Sequence, residues 1–245
     1  MNTLGIDIGG SALKGAVVDT TTGKLTSERF RIDTPDNLTP KEMAGAVKAM
    51  AVHFKWKGPI GIGFPGVIED STIWTSANLD KDFIGCDAAK LFGKATGCPI
   101  AMINDAAAGV AEMHFGAGRG FMGKALLLTL GTGIGSCFSY QGIVTPMELG
   151  HFPWGKHGKS VEKYLAASVL EEKKLSWKKW GRGLHDYVAV LEKLLWPELI
   201  IVGGGVSADH DKFFKFIKPR AKLVPAEFFN NAGIVGGALW AAEKK

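Results

Sequence analysis

Cysteine is scarce in this sequence, which has three, Cys86, Cys98 and Cys137, in 245 residues. Their odd number and scattered spacing exclude a disulfide framework and a cysteine-rich zinc site, and point to a reducing, cytoplasmic setting. No apolar run reaches the roughly eighteen residues of a membrane span, so no membrane partner is expected. The N-terminus has no basic stretch followed by an apolar core, and Asp7 interrupts its only apolar run, so no signal peptide is expected. There is no G-x-x-x-x-G-K-[ST], so this is not a P-loop enzyme. Linkers and low-complexity segments are absent as well. What remains has the composition of a globular protein, 46% hydrophobic and 22% charged, long enough for one large domain or two modest ones.

The net charge of +5 is unevenly placed. Met1 to Gly155 carries 13 Lys+Arg against 14 Asp+Glu, whereas Lys156 to Lys245 carries 16 against 10. The basic excess of the second part is either a solvated face or a surface that attracts a polyanion.

Leu4 to Ile8 reads as a strand that enters Asp7-Ile8-Gly9-Gly10-Ser11, with Leu13 to Val18 returning and Lys24 to Phe30 following a turn. Thr39-Pro40-Lys41-Glu42 is a capping box, and the spacing of Met43, Val47, Met50 and Phe54 predicts a helix over Pro40 to Trp56. Gly61-Ile62-Gly63-Phe64-Pro65-Gly66 matches the dinucleotide fingerprint in letters only. Pro65 lies inside it, and Val67 to Trp74 reads as a hairpin where the fingerprint needs a helix. Asp87 to Thr96 is a helix stopped by Gly97, and Pro99 to Ile103 is a buried strand. Leu126 to Ser136 repeats the opening pattern, an apolar strand running into Gly131-Thr132-Gly133, with Cys137 to Tyr140 returning. A helix is expected from near Ser160, another over Leu184 to Trp196, and a strand over Leu199 to Val202 before Gly203-Gly204-Gly205. Helices over Asp209 to Lys218 and Gly233 to Glu243 complete the reading. Two strand–glycine–strand units about half a chain apart predict two similar α/β halves.

Glycine turns at strand ends present backbone N–H groups that suit phosphate. Any one of the three is ordinary, and three in one chain favour anion binding. Phosphoryl transfer also needs a divalent cation and a group that orients the attacking hydroxyl. Asp7, at the first turn, suits a position near hydrated Mg2+. Asp105, where a strand meets a helix, reads as a helix cap by itself and as a general base beside the turns. Glu148, His151 and Glu162 can hydrogen-bond sugar hydroxyls. Glu162 equally suits first-turn dipole complementarity, and spacing alone does not separate the two. A metal site at His151 and His157 lacks further ligands nearby.

Taken together, Asp7-Ile8-Gly9-Gly10-Ser11, Gly63-Phe64-Pro65-Gly66, Asn104-Asp105, Leu130 to Gly135, Glu148-Leu149-Gly150-His151 and Gly203 to Ser207 resemble, in order, the motifs of ROK-type sugar kinases. Gly9 to Gly15, Trp177 to Tyr187, Pro197 to Val202 and Asn230 to Gly236 are similar to hallmarks of the polyphosphate-using glucokinases within that family. The resemblance implies an actin-like (ribonuclease H-like) α/β fold of two domains with a cleft between them. The first would be 1–104, completed by the helix at 233–245, and the second 105–232. It implies transfer of a phosphoryl group from inorganic polyphosphate, with ATP as alternative donor, to the 6-hydroxyl of glucose, assisted by Mg2+. Asp105 would be the base, and Asn104, Glu148, His151 and Glu162, with Asn78, would hold the sugar. Gly9, Gly10, Ser11, Lys14, Gly131, Thr132, Gly133, Gly203, Gly204 and Gly205 would hold the donor. A cytoplasmic homodimer is implied.

Phe152 to Lys163 lacks the cysteine cluster with which many family members bind zinc, so no zinc site is expected. Repressor members carry a DNA-binding helix-turn-helix ahead of the first phosphate strand. This chain opens on that strand, so no nucleic-acid partner is expected. Lys173, Lys174, Lys178, Lys179 and Arg182 interleave with Trp177 and Trp180, and Lys212, Lys215, Lys218, Arg220 and Lys222 form a second group. Either is a path for a phosphate chain or a solvated face.

Overall fold

The structure, a computed structural model, describes residues 1–9, 12–34, 38–76, 79–104 and 106–244. Gly10, Ser11, Asn78 and Asp105, singled out above, lie outside the described residues.

The chain opens with β1 (Asn2–Ile8), β2 (Ala12–Asp19), β3 (Lys24–Leu25) and β4 (Phe30–Asp33), followed by α1 (Pro40–His53) and β5 (Ile60–Gly63). The hairpin β6 (Ile68–Glu69) and β7 (Thr72–Ile73), α2 (Ala88–Thr96), β8 (Ile100–Ile103) and α3 (Ala106–Phe115) come next. Then come β9 (Ala125–Leu130), β10 (Ile134–Tyr140), β11 (Ile143–Met147), β12 (Pro153–Trp154), β13 (Lys159–Ser160), α4 (Glu162–Leu165), α5 (Ala167–Glu172) and α6 (Trp177–Leu195). The last elements are β14 (Leu199–Gly203), α7 (His210–Phe213), β15 (Lys222–Pro225) and α8 (Ala232–Glu243). They form two compact units, Met1–Ala111 with Asn231–Lys245, and Glu112–Asn230.

In the first unit the sheet order is β3-β2-β1-β5-β8, with β4 also on β2. β1 and β2 are antiparallel, with Asp7 opposite Lys14, and β1, β5 and β8 run parallel. Leu4, Ile6, Ile60 and Ile62 bury their side chains with Met43, Val47 and Met50 of α1 and Phe92 of α2. The capping box at α1 is formed: Thr39 Oγ1 accepts the Glu42 N–H, and the Glu42 carboxylate accepts the Thr39 N–H at 2.9 Å. This helix ends at His53, three residues before the sequence expectation, because Trp56 turns to donate its indole N–H to the Pro59 carbonyl at 2.9 Å. α8 lies backbone on backbone against the sheet. A Cβ at Gly61 would stand 1.7 Å from the Gly237 carbonyl oxygen, and one at Gly5 1.9 Å from that of Ile234. Only glycine permits that approach.

The second unit repeats the plan. Its sheet order is β11-β10-β9-β14-β15, with β9 and β10 antiparallel and β9, β14 and β15 parallel. Leu126, Leu128, Ile200 and Val202 pack with Trp180, Leu184, Tyr187 and Leu191 of α6. The first two glycine turns thus fall between the strands of the antiparallel pair that begins each parallel set.

Local differences from the sequence expectations have local causes. α6 starts at Trp177 rather than Leu184: Ser176 Oγ caps it by accepting the Lys179 N–H, and Gly181 and Gly183 lie where Phe216 and Leu165 press against the helix. The helix expected over Asp209 to Lys218 is broken into short turns, because Phe213 dips into the core against Trp177 and Trp180. The strand expected over Lys24 to Phe30 divides into β3 and β4, and between them Ser27 Oγ accepts the Val17 N–H at 2.9 Å. The residues Val67 to Trp74 form the β6–β7 hairpin. No helix among the described residues is long and apolar enough to cross a membrane.

Candidate active site

The first unit carries its polar groups at the carboxyl ends of its parallel strands, where open α/β sheets place ligands. Asp7 lies beside Gly63, and Gly63 beside Ile103, in one row across β1, β5 and β8. Its carboxylate is walled by glycine: a Cβ at Gly233 would stand 2.6 Å from Asp7 Oδ1, and one at Gly63 3.6 Å. Asp7 is enclosed by protein atoms while keeping part of its side chain open to solvent. Burial pushes its carboxyl above the usual range, and the Lys14 charge on the facing strand pulls it partly back. Gly9 opens the first glycine turn by donating its N–H to the Ala12 carbonyl at 2.9 Å. Asn104 is 7% exposed, and its Oδ1 accepts the Ala106 N–H at 3.0 Å, so Asn104 caps α3.

The second unit brings three sequence-predicted pieces together at Ile134, the first residue of β10. Glu162 Oε2 accepts the Ile134 N–H at 3.4 Å, and a Cβ at Gly133 would stand 2.6 Å from the same oxygen. On the other side of Ile134, a Cβ at Gly150 would stand 2.1 Å from its carbonyl oxygen. The Glu148–His151 turn therefore lies directly against the root of the second glycine turn. His151 Nδ1 is 3.7 Å from Glu148 Oε2, with both side chains about two-fifths exposed (42% and 41%). Ser136 Oγ accepts the Leu149 N–H at 3.0 Å, and the Tyr187 hydroxyl donates to the Leu149 carbonyl at 2.9 Å. Burial pushes the Tyr187 hydroxyl far above its ordinary value, which keeps it a donor.

Gly131, Thr132 and Gly205 line one cavity of about 480 Å³ in this unit, together with Ser168, Glu171, Trp177, Val206 and Asp209. Ser168 fixes the second glycine turn, its N–H donating to the Gly131 carbonyl at 3.2 Å and its hydroxyl to that of Thr132 at 3.0 Å. Gly204 takes a positive φ of 84° and comes so close to Leu130 that a Cβ would stand 2.2 Å from the Leu130 carbonyl oxygen. The sequence reading missed Ser168, Glu171 and Asp209. Ser168 and Glu171 share one face of the short helix α5 and Asp209 lies far along the chain before α7, so only the fold brings the three together.

Lys178, Lys179 and Arg182 are exposed on the first turns of α6, and Lys173 and Lys174 are exposed just before it. The second basic group is more engaged. Lys212 Nζ is 2.8 Å from Asp209 Oδ1 and 5.3 Å from the Trp177 ring centre, and the Arg220 guanidinium lies 4.4 Å from the Trp196 ring centre and bonds the Pro197 carbonyl.

Among the described residues, no group of three or more His, Cys, Asp and Glu side chains is placed to hold a metal ion. Asp7 fits Mg2+ differently. That ion keeps several waters and takes one or two carboxylates with substrate phosphates, and a cation beside Asp7 would favour the ionised form that burial opposes.

The ROK family model matches residues 3–163. The polyphosphate glucokinase of Mycobacterium tuberculosis (strain CDC 1551 / Oshkosh) is 40% identical over 238 residues, 96% of this chain and 89% of that protein. The structure of an inorganic polyphosphate/ATP-glucomannokinase from Arthrobacter sp. strain KM matches with a TM-score of 0.94 at 40% identity, covering 100% of this chain and 99% of that one. A ROK family glucokinase from Streptomyces griseus, in complex with glucose and AMPPNP, matches with a TM-score of 0.85 at 23% identity, covering 99% and 100%, and shares the fold.

Proposed function

The chain belongs to the ROK family and has its actin-like two-domain fold, and from that premise we propose that it transfers the terminal phosphoryl group of inorganic polyphosphate to the 6-hydroxyl of glucose. Asp105 takes the hydroxyl proton as the oxygen attacks the terminal phosphorus, and glucose 6-phosphate leaves with a polyphosphate one unit shorter. Asn104, Glu148, His151 and Glu162, with Asn78, hold the sugar. The turns at Gly9-Gly10-Ser11, Gly131-Thr132-Gly133 and Gly203-Gly204-Gly205, with Lys14, hold the donor phosphates. Mg2+ near Asp7 would supply charge neutralisation at those phosphates. Lys173, Lys174, Lys178, Lys179 and Arg182 guide the rest of the phosphate chain.

The observation that carries this reading is the convergence at Ile134. Glu162 takes its N–H and Gly150 abuts its carbonyl, so a sugar-type turn and a phosphate-type turn share one residue. A second donor has its own support. The cavity that adjoins two glycine turns has an aromatic wall, Trp177, and hydroxyl and carboxylate groups at Ser168, Glu171 and Asp209, which suit a nucleoside and thus ATP.

Parallel assays with glucose and either nucleotide-free polyphosphate or purified ATP test the proposal. Turnover with polyphosphate is expected, and turnover with ATP alone would overturn the polyphosphate reading. Asp105→Asn should retain glucose binding by calorimetry while kcat falls by at least about a thousandfold, and near-normal turnover would remove Asp105 from its role. By the same likeness we propose a homodimer in the cytoplasm; a monomer in analytical ultracentrifugation would refute the dimer.

A further inference from the structure

The chain passes from the first unit to the second between Ala111 and Glu112, inside α3, and back again between Asn230 and Asn231. Glu112 is the first residue beyond one crossing, and it is a wholly buried carboxylate with 0% exposure. Its oxygens accept the N–H of Ala117 at 2.9 Å, that of Glu227 at 2.9 and 3.1 Å, and that of Phe228 at 2.8 Å. Glu227 and Phe228 lead directly into the second crossing. A Cβ at Gly116 would stand 2.2 Å from Glu112 Oε2, so the chain keeps a glycine there to admit the carboxylate. Polar oxygens are costly to bury unless hydrogen-bonded, and these backbone N–H groups satisfy them.

A separate observation lies one residue further on. Phe229 has a φ of +46° and is 46% exposed. A bulky residue in the left-handed region costs on the order of 1–2 kcal/mol, and an exposed ring regains little of that by packing. Such strain persists where the surrounding structure fixes the backbone on both sides. Here the Glu112 bonds fix Phe228 on one side, and on the other Asn231 Oδ1 accepts from Arg29 Nη1 at 3.3 Å.

We propose that Glu112 is a positioning residue that fastens the two crossings to each other, and that Phe229 is the strained link next to it at which the return crossing is set. The pair fixes the backbone at the two points where the chain passes from one unit to the other, and its loss is expected to show in the rate of the transfer step rather than in the binding of sugar. This rests on the phosphoryl-transfer reading for its kinetic readout, whereas hydrogen exchange tests it independently of any activity.

The experiment uses the full chain and whichever phosphate donor supports turnover. In Glu112→Gln the side-chain NH2 would face backbone N–H groups. Amide exchange at Ala117, Glu227 and Phe228 is expected to speed up at least tenfold, with kcat reduced at least fivefold and the KM for glucose changed less than twofold. Unchanged exchange, or unchanged kcat with faster exchange, overturns the proposal. Phe229→Gly leaves the carboxylate bonds in place and decides the matter if Glu112→Gln does not fold. It should melt no lower than the parent, keep the protection of those three amides, and still lose at least fivefold in kcat at constant glucose KM. Parental kcat in Phe229→Gly overturns the proposal. If the parent turns over neither donor, the transfer reading fails, while exchange in Glu112→Gln still supports or refutes the fastening.

Discussion

Asp7 sits where its ionised form is least stable, in a wall of glycine at the end of β1, and a cation-binding role requires that form. The sign of its effect follows from burial. An acid whose folded value is raised binds its proton more tightly in the folded chain than in the unfolded one. Stability is therefore full below the ordinary carboxylate value of 3.8 and falls as pH rises through the folded value. Asp7→Asn removes the ionised group, so it should melt above the parent at pH 7, with the gap closing as the pH is lowered toward 4, and turnover should be lost. A melting curve at each pH checks this, and a variant that melts lower at pH 7 would show that Lys14 more than offsets burial. Gly233→Ala acts on the same carboxylate by volume. Its Cβ would meet Oδ1 at 2.6 Å and Cγ at 2.7 Å. Displacing a reacting or cation-holding group by about 1 Å costs on the order of a hundredfold in rate. We expect that loss in kcat, and turnover within twofold of the parent would place Asp7 outside the chemistry. Gly233 illustrates what a sequence conceals at this scale: it reads as the start of a helix, and its closeness to Asp7 exists only after α8 has returned to the sheet.

At the scale of elements, α6 both supports the sugar-type turn and carries the exposed cations. Tyr187 reaches from its buried face to the Leu149 carbonyl. Tyr187→Phe should cost about 1 kcal/mol of stability for a lost neutral hydrogen bond that leaves an acceptor buried. The KM for glucose should rise several-fold while kcat with saturating sugar changes little; an unchanged KM would detach the Glu148–His151 turn from sugar binding. On the opposite face, Lys178, Lys179 and Arg182 crowd positive charge at a helix N-terminus, where the dipole disfavours it. That local cost is rational if an anion passes there. The triple variant Lys178→Gln, Lys179→Gln, Arg182→Gln should raise the KM for long polyphosphate and flatten its dependence on salt, by a slope of about 0.7 for each phosphate charge no longer neutralised. The KM for glucose should hold. Polyphosphate kinetics equal to the parent's would return these residues to a solvated face. The first two turns of α6 escaped the sequence reading because glycine and lysine dominate them, and Trp177 and Trp180 gain meaning only through Phe213. The capping box at Thr39 was readable because both of its partners lie within four residues.

For the whole molecule, the repeat of strand, glycine turn and strand was readable because each copy is local, and it forecast two similar α/β halves; that their sheets share one order of strands emerges only from the fold. The sequence places the first boundary at the strand–helix junction 104/105, and the compact units divide a few residues on, inside α3 just after Gly109. The apolar sequence of α8 does not by itself say which sheet it covers; its assignment to the first domain comes from the family resemblance. That covering has a consequence for folding. The second unit is continuous in sequence, whereas the first needs the last helix of the chain, packed through glycine on β1 and β5. Gly61→Ala puts a methyl group 1.7 Å from the Gly237 carbonyl oxygen, against rigid backbone rather than a yielding side chain. Overpacking of this kind costs at least about 1–3 kcal/mol, and it falls on one unit alone. Calorimetry of Gly61→Ala should therefore show the first unit melting early and the second persisting as a separate transition. Hydrogen exchange should show protection lost across β1, β5 and α8 and retained across β9, β14 and α6. A single transition, lowered as a whole, would instead mean that the two units unfold cooperatively, and that the crossings at Glu112 and Asn231 transmit stability as well as connect the chain.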